Sequence, residues 1–186
     1  MKTRIVSFIL GLFVIGLSLQ AQNRVFTREG NINFFSKTSM ENIEANNHKV
    51  AAVIDLTTGN MEFNVLMKAF EFEKALMQEH FNENYVESDQ FPKASFKGKI
   101  HNIETLSLTQ DGEYPVKVSG SLTIHGVTKE MVAPAVLIVK GGKVTNATSK
   151  FDVTIADYDI EIPSLVRDNI AEKVAVSVDL ALQSLE

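Results

Sequence analysis

The stretch from Gly120 to Pro134 reads GSLTIHGVTKEMVAP and contains two alternating runs joined by a glycine. Up to residue 124, the apolar residues occupy even positions and the polar residues occupy odd ones, and the apolar set is Val116, Val118, Leu122 and Ile124. Successive side chains of a β-strand point to opposite faces, so this strand has one apolar face and one face toward water. Gly126 accepts a positive φ without steric penalty, so we predict a turn there, followed by a returning strand over 127–139.

Similar patterns extend in both directions from this hairpin. Strands are predicted at 31–37, 49–56, 60–68, 145–155 and 174–182. The third of these alternates cleanly, because Met61, Phe63 and Val65 share one face and Glu62 and Asn64 the other. Seven or eight strands with turn residues between them and little helix indicate one antiparallel all-β domain, either a barrel or a sandwich.

One segment has a different period. From residue 70 to 85 the sequence is FEFEKALMQEHFNENY, and Phe70, Met77, Phe81 and Tyr85 recur at the spacing of one helix face. The helix is predicted to end before Phe91-Pro92, because proline disfavours helix in the residue before it. It either closes one end of the barrel as ordinary core or acts as a lid over a ligand entrance.

The N-terminal residues 1–22 are predicted to be a signal peptide. Lys2 and Arg4 precede an apolar run over 5–19, and Gln20-Ala21-Gln22 offers a cleavage site with a small residue. A retained anchor is the alternative, although the run is short for a bilayer crossing. The remaining residues, 23–186, are predicted to form one domain outside the cytoplasm, in the periplasm or secreted.

Charge and cysteine content exclude several classes of function. The chain has no cysteine and a formal net charge of −5, and the predicted signal peptide carries only positive charges. Disulfides, thiolate catalysis and cysteine-ligated metals are therefore excluded. An acidic domain is repelled by nucleic acid and by anionic membrane surfaces, so we expect neither as a partner and no stable membrane insertion. The oligomeric state stays open.

Residues 122–129, LTIHGVTK, resemble a strand-turn-strand motif of the YceI-like family of polyisoprenoid-binding, lipocalin-like periplasmic proteins. A second stretch, 80–98, is similar to the family's aromatic segment at Phe81, Phe91, Pro92, Phe96 and Gly98. Many relatives carry an arginine before a "dfGi" stretch, whereas this chain has Ala156-Asp157-Tyr158-Asp159-Ile160, so the role of that arginine is absent here. The resemblance implies an extended eight-stranded antiparallel lipocalin-like β-barrel, with a helix over one end and a long isoprenoid or similar lipid in the lumen.

The interior of an eight-stranded barrel is either filled by side chains or holds one slender ligand, and strand alternation leaves both possibilities open. If a ligand is held, the lining predicted from the inward faces and the aromatic segment is Phe34, Val53, Phe63, Val65, Phe81, Phe91, Phe96, Val118, Leu122, Ile124 and Val176. His125 either forms local hydrogen bonds in the turn beside Gly126 or contacts a ligand headgroup.

Catalytic and metal-binding patterns are missing from the sequence. The four histidines form no HExxH pattern, no serine lies in a GxSxG motif, and no glycine-rich phosphate loop occurs. Asp157, Asp159 and Glu161 alternate and are either weak calcium ligands or, in the favoured interpretation, a solvated strand face. We therefore expect no enzyme activity, no metal and no cofactor other than a bound lipid.

The function predicted from the sequence is an exported binding protein that carries or sequesters an apolar isoprenoid-like lipid, of the polyprenyl or quinone type. The alternative is a ligand-free envelope or stress scaffold that acts through protein–protein contacts. An enzyme acting inside the lumen is the least favoured class, because no acid, base and nucleophile can be assembled from these residues.

Overall fold

The computed structural model describes residues 23–185, so the predicted signal peptide lies outside the described residues. The strands are β1 Arg24–Lys37, β2 Asn42–Asp55, β3 Asn60–Leu66, β4 Phe70–Phe72, β5 Lys93–Ile100, β6 Gly112–Ile124, β7 Val127–Lys140, β8 Lys143–Thr154, β9 Lys173–Ala181 and β10 Gln183–Ser184. Helix α1 spans Ala75–His80 and continues as a π-helical turn, Phe81–Tyr85. Short 3-10 turns occupy Met67–Ala69, Ile103–Thr105, Ile155–Tyr158 and Ser164–Asn169.

Eight strands close into an antiparallel barrel. The hydrogen-bonded order is β1, β2, β3, β5, β6, β7, β8 and β9, and β9 pairs with β1 to complete the wall. Strand β4 pairs with β2 just beyond the end of β3, and β10 pairs with the start of β1. The prediction of an eight-stranded lipocalin-like barrel, with a helix at one end, is confirmed.

The hairpin that the sequence marked most clearly forms as predicted. Strands β6 and β7 pair without a shift from Gly112 opposite Val139 to Ile124 opposite Val127. His125 and Gly126 occupy the turn with φ of 50° and 75°. Two consecutive positive φ angles are typical of the type I′ turn, whose twist matches that of the paired strands.

Three predicted element starts are wrong. Strands β1 and β2 begin at Arg24 and Asn42, well before the predicted starts at 31 and 49. The first half of each strand pairs with the second half of the other, so backbone pairing extends both strands beyond the stretches that the sequence pattern marks. The predicted helix over 70–85 begins only at Ala75. Phe70–Phe72 is strand β4, since its alternating F-E-F sequence pairs with 45–47 of β2.

The two ends of the barrel differ in how they are filled. At one end, side chains from all around the wall meet in a closed core, and the largest fully buried ones are Ile54, Ile100, Leu137 and Leu180. We call this end the packed half. At the other end, α1 and residues 155–170 cover a hollow, and we call this end the hollow half.

The wall is incomplete on one side of the hollow half. Pairing between β7 and β8 stops at Ala135 opposite Ser149, whereas β6–β7 pairing continues to Val127 and β8–β9 pairing continues to Thr154. The 3-10 turn Ile155–Tyr158 contacts β7 instead. Tyr158 is buried there, so this turn takes the place of the missing strand contacts.

Candidate functional site

The hollow half contains a cavity of about 300 Å³. Its wall is formed by inward side chains of β1, β3, β5, β6, β8 and β9, namely Ile32, Phe34, Val65, Ala94, Leu122, Ile124, Phe151, Val153, Val174 and Val176. These positions alternate along each strand, as a pleated wall requires. A volume of this size lies at the lower end of the range of about 300–1,000 Å³ found for small-molecule sites.

Two covering segments lie over the cavity. Met77, Phe81 and Tyr85 come from α1 and its π-helical extension, and Val86 follows directly after it. The second cover runs from the end of β8 to the start of β9 and contributes Ile155, Ile160, Ile162, Val166 and Ile170. Both covers therefore present aliphatic or aromatic groups to the interior.

An aromatic cluster fixes the first cover to the wall. The Phe81 ring lies 5.6 Å from Phe34, 5.5 Å from Phe70 and 5.0 Å from Phe72, measured between ring centroids. Tilted and edge-on pairs of this kind each add about 0.5–1.5 kcal/mol beyond the area they bury. Helix α1 has only six residues and could not persist alone, so these contacts hold it in place.

Polar groups in the lining are few, and two of them are paired. Ser36 accepts a hydrogen bond at Oγ from the backbone N–H of Ala171 at 2.9 Å, which ties the second cover to β1. Glu41 forms an ion pair with Lys74 at 3.0 Å, between the β1–β2 turn and the residue before α1. Burial raises the pKa of the Tyr85 phenol, so this ring stays neutral at physiological pH. The remaining polar lining residues are His80 and Asn169.

His125 links the two covers outside the cavity. Its Nε2 lies 2.8 Å from Glu87 Oε2, and its Nδ1 lies 3.2 Å from the backbone oxygen of Tyr158. Both partners are acceptors, so both contacts are hydrogen bonds only when the ring carries two N–H groups and a positive charge. Glu87, His125 and Asp159 are the non-glycine residues with positive φ in the described part of the chain, which places all the unusual backbone at this junction.

A family model described as the YceI-like domain matches residues 21–182. The chain belongs to the YceI-like family. No curated protein is significantly similar to it in sequence.

Solved structures share this fold at low sequence identity. A polyisoprenoid-binding domain from Saccharophagus degradans, implicated in plant cell wall breakdown, has a TM-score of 0.74 at 15% identity, covering 88% of this chain and 99% of that one. BcnA from Burkholderia cenocepacia has a TM-score of 0.65 at 15% identity, covering 82% and 94%. The YCEI protein of Campylobacter jejuni has a TM-score of 0.57 at 15% identity, covering 98% and 99%. These similarities show the fold of the YceI-like barrel.

The cavity brings together six of the eleven lining residues predicted from the sequence, namely Phe34, Val65, Phe81, Leu122, Ile124 and Val176. Phe63 and Phe96 lie on inward faces one row below the lining and contact the core. Val118 is 8% exposed and belongs to the packed half. Phe91 lies outside the lining, with its ring centroid 4.5 Å from that of His125.

Two expectations about single residues need correction. Val53 does not point inward, because its neighbours Ala52 and Ile54 are buried in the core and alternation places Val53 on the outer face, opposite Phe26. The run 50–54 is apolar throughout, so its sequence does not show which residues face inward. His125 binds Glu87 and Tyr158 rather than making only local turn contacts, and it is not among the lining residues.

The second cover is the part of the site that sequence analysis missed. Its isoleucines and Val166 follow neither a strand nor a helix period, and the segment contains two 3-10 turns. Asp157 and Asp159 lie in and just after the first of these turns, so the predicted strand face with alternating carboxylates does not form.

Between residues 23 and 185, no group of three His, Asp or Glu side chains is placed to hold a metal ion. Within the same range, none of the helices has the length and apolar content to cross a membrane.

Proposed function

We propose that this YceI-like protein is an exported binding protein that carries or sequesters an apolar isoprenoid-like lipid, of the polyprenyl or quinone type, in the hollow half of its barrel. It performs no bond chemistry and needs no cofactor besides the lipid. The observation that carries the proposal is the cavity of about 300 Å³, whose lining is aliphatic or aromatic except for Ser36, Glu41, His80 and Asn169.

The physical basis of binding is the removal of an apolar chain from water. Each buried methylene contributes about 0.8 kcal/mol, so a chain with ten buried carbons gains about 8 kcal/mol before the costs of association are subtracted. Phe34, Phe81 and Phe151 offer flat apolar surfaces to such a chain. The polyisoprenoid-binding description of the Saccharophagus degradans domain, which shares this fold, supports an isoprenoid over other apolar ligands.

Export rests on the sequence of the first 22 residues, with their charged start, apolar run and small-residue site. A periplasmic carrier meets lipids released from the membrane, and an apolar cavity lets it hold them in an aqueous compartment. Amino-terminal sequencing of the purified protein is expected to begin near Gln22 or Asn23. Recovery of intact Met1 in the membrane fraction would contradict export.

Extraction of the native protein tests whether it holds a lipid and identifies that lipid. The full chain is expressed in a bacterium, purified without detergent and extracted with organic solvent, and the extract is analysed by mass spectrometry. We expect an isoprenoid-like lipid in near-stoichiometric amount. Ala94→Phe, which adds a ring inside the cavity, should lower that amount.

The matched control is Ser95→Phe, since Ser95 is the next residue on β5 and therefore points to the outer face. Equal lipid in wild type and Ala94→Phe would place any lipid outside the cavity and contradict the proposal. No lipid in any variant, together with no binding of added isoprenoid alcohols, would favour the ligand-free scaffold.

A further inference from the structure

The boundary between the hollow and packed halves falls at one row of inward side chains. On β3, Val65 lines the cavity and the next inward residue, Phe63, does not. On β5, Ala94 lines the cavity and the next inward residue, Phe96, does not. Val65 pairs with Ala94, and Phe63 pairs with Phe96, so the two phenylalanines form one cross-strand row directly below the lining.

The two rings contact each other across this row. Their centroids lie 6.0 Å apart and their planes meet at 78°, the edge-on arrangement that aromatic pairs favour. Leu122 continues the row on β6 and reaches the cavity from the side. The phenylalanine pair therefore lies where a chain inserted from the covered end would meet the core.

Glycine on the inward face makes room for the Phe96 ring. A Cβ on Gly98 would lie 2.4 Å from Phe96 Cζ, so the ring extends over Gly98 toward the packed half. A side chain at Gly98 would push the ring back into the cavity. Below this level, Met61 and Ile100 are buried, and Ile100 is 0% exposed. The end of the cavity is thus built from specific residues rather than left by loose packing.

We propose that Phe63 and Phe96 form the floor of the cavity and set the length of apolar chain that the protein holds, an inference that rests on the proposed lipid-binding function. If a methylene takes roughly the 30 Å³ that a water molecule occupies in the liquid, the cavity holds about ten carbons. The ligand class is therefore a lipid that inserts about ten carbons of one unbranched or isoprenoid chain, and the rest of a longer lipid stays outside the covers.

A series of alcohols of increasing chain length tests whether the floor limits the chain that the cavity holds. Hexanol, octanol, decanol, dodecanol and tetradecanol are titrated into the delipidated protein, with displacement of an environment-sensitive fluorophore as the readout. Affinity should rise about fourfold per added methylene while the chain still fits. Beyond about ten carbons it should stop rising, because further methylenes remain in water.

Variants at the floor should change the chain length at which affinity stops rising, which we call the break. Phe96→Leu and Phe63→Leu are conservative apolar changes that shorten the side chain, so each should let affinity rise for about three more carbons, the number that the substitution removes. Ala94→Leu adds bulk above the floor and should move the break to shorter chains. Phe26→Leu is the matched control, because Phe26 lies on the outer face between buried Val25 and Thr27, and it should leave the break unchanged.

The outcomes separate this inference from the function on which it rests. No binding of any alcohol to the wild-type protein would contradict the lipid-binding function itself. Binding whose affinity keeps rising through tetradecanol would contradict the floor. A break that stays at the same length in both Phe96→Leu and Phe63→Leu would also contradict it, whereas a shift in either folded variant, with none in Phe26→Leu, supports it.

Discussion

Strand β6 runs through both halves of the barrel, and its one apolar face serves each differently. Val116 and Val118 are buried in the packed half, whereas Leu122 and Ile124 on the same face line the cavity. The strand, the face and the type of side chain are the same. What differs is the filling of the interior, which is closed by fully buried side chains such as Leu137 and Leu180 at one end and holds a cavity at the other. Amphipathic alternation thus specifies an interior and leaves open whether that interior is filled.

The largest expected effect lies in the packed half. Leu137 is 1% exposed and is surrounded by core residues, so Leu137→Ala should lower the free energy of unfolding by about 3–5 kcal/mol. Urea titration of the delipidated protein measures this loss. A loss below about 2 kcal/mol would mean that this end is not close-packed, and the contrast between the halves would fail.

A bound chain should stabilise the protein through the hollow half alone. At a decanol concentration one hundred times its Kd, mass action adds about 2.7 kcal/mol to the free energy of unfolding. At that same decanol concentration the Leu137→Ala protein should gain the same amount, because the substituted residue lies away from the cavity. Unequal gains at the same decanol concentration would show that the two halves are coupled rather than separate.

A leucine-to-alanine substitution in the hollow half should lower the free energy of unfolding by less. Leu122 borders the cavity on one side, so Leu122→Ala in the ligand-free protein removes fewer contacts and should cost about 1–2 kcal/mol. The comparison with Leu137→Ala is direct, because the residue type and the change are identical. Equal penalties at the two sites would indicate a solid barrel.

A smaller effect is expected at the junction of the two covers. His125→Asn keeps a residue that tolerates positive φ but removes the contacts to Glu87 and Tyr158, so it should cost about 1 kcal/mol. Amide exchange of residues 155–158 should accelerate in this variant, while exchange in the packed half stays unchanged. Faster exchange throughout the barrel would mean that His125 supports the whole fold.

The smallest effect concerns a turn at the packed end. The backbone N–H of Thr58 lowers the pKa of Asp55 below 3.8, against an opposing contribution of burial, and Arg24 and Thr57 lower it further. A lowered folded-state pKa means that ionised Asp55 stabilises the protein above about pH 4 and that this contribution is lost as pH falls through the folded value. Asp55→Asn should therefore cost about 0.5 kcal/mol at neutral pH and less in acid. A loss of stability that grows in acid would contradict a lowered folded-state pKa of Asp55.

The sequence predicted the wall better than the covers. Val65, Leu122 and Ile124 were assigned correctly to the inward face because their strands alternate, and Val53 was not because its strand is apolar on both faces. The second cover was missed since its isoleucines follow no regular period. The cavity itself depends on distances between residues far apart in the chain, such as Val65 and Val176, and these distances leave no local pattern.

Closure of the wall by β1 and β9 has a consequence for how the chain folds. These strands lie near opposite ends of the described chain, yet Asn31 pairs with Asp179 and Phe35 with Ala175. Contacts between such distant residues carry a large loop-closure entropy and form late in β-barrels. Until they form, β1 and β9 present unpaired backbone edges on which other chains can add. We therefore expect slow refolding and concentration-dependent loss to aggregates, with β1 and β9 as the segments that nucleate association.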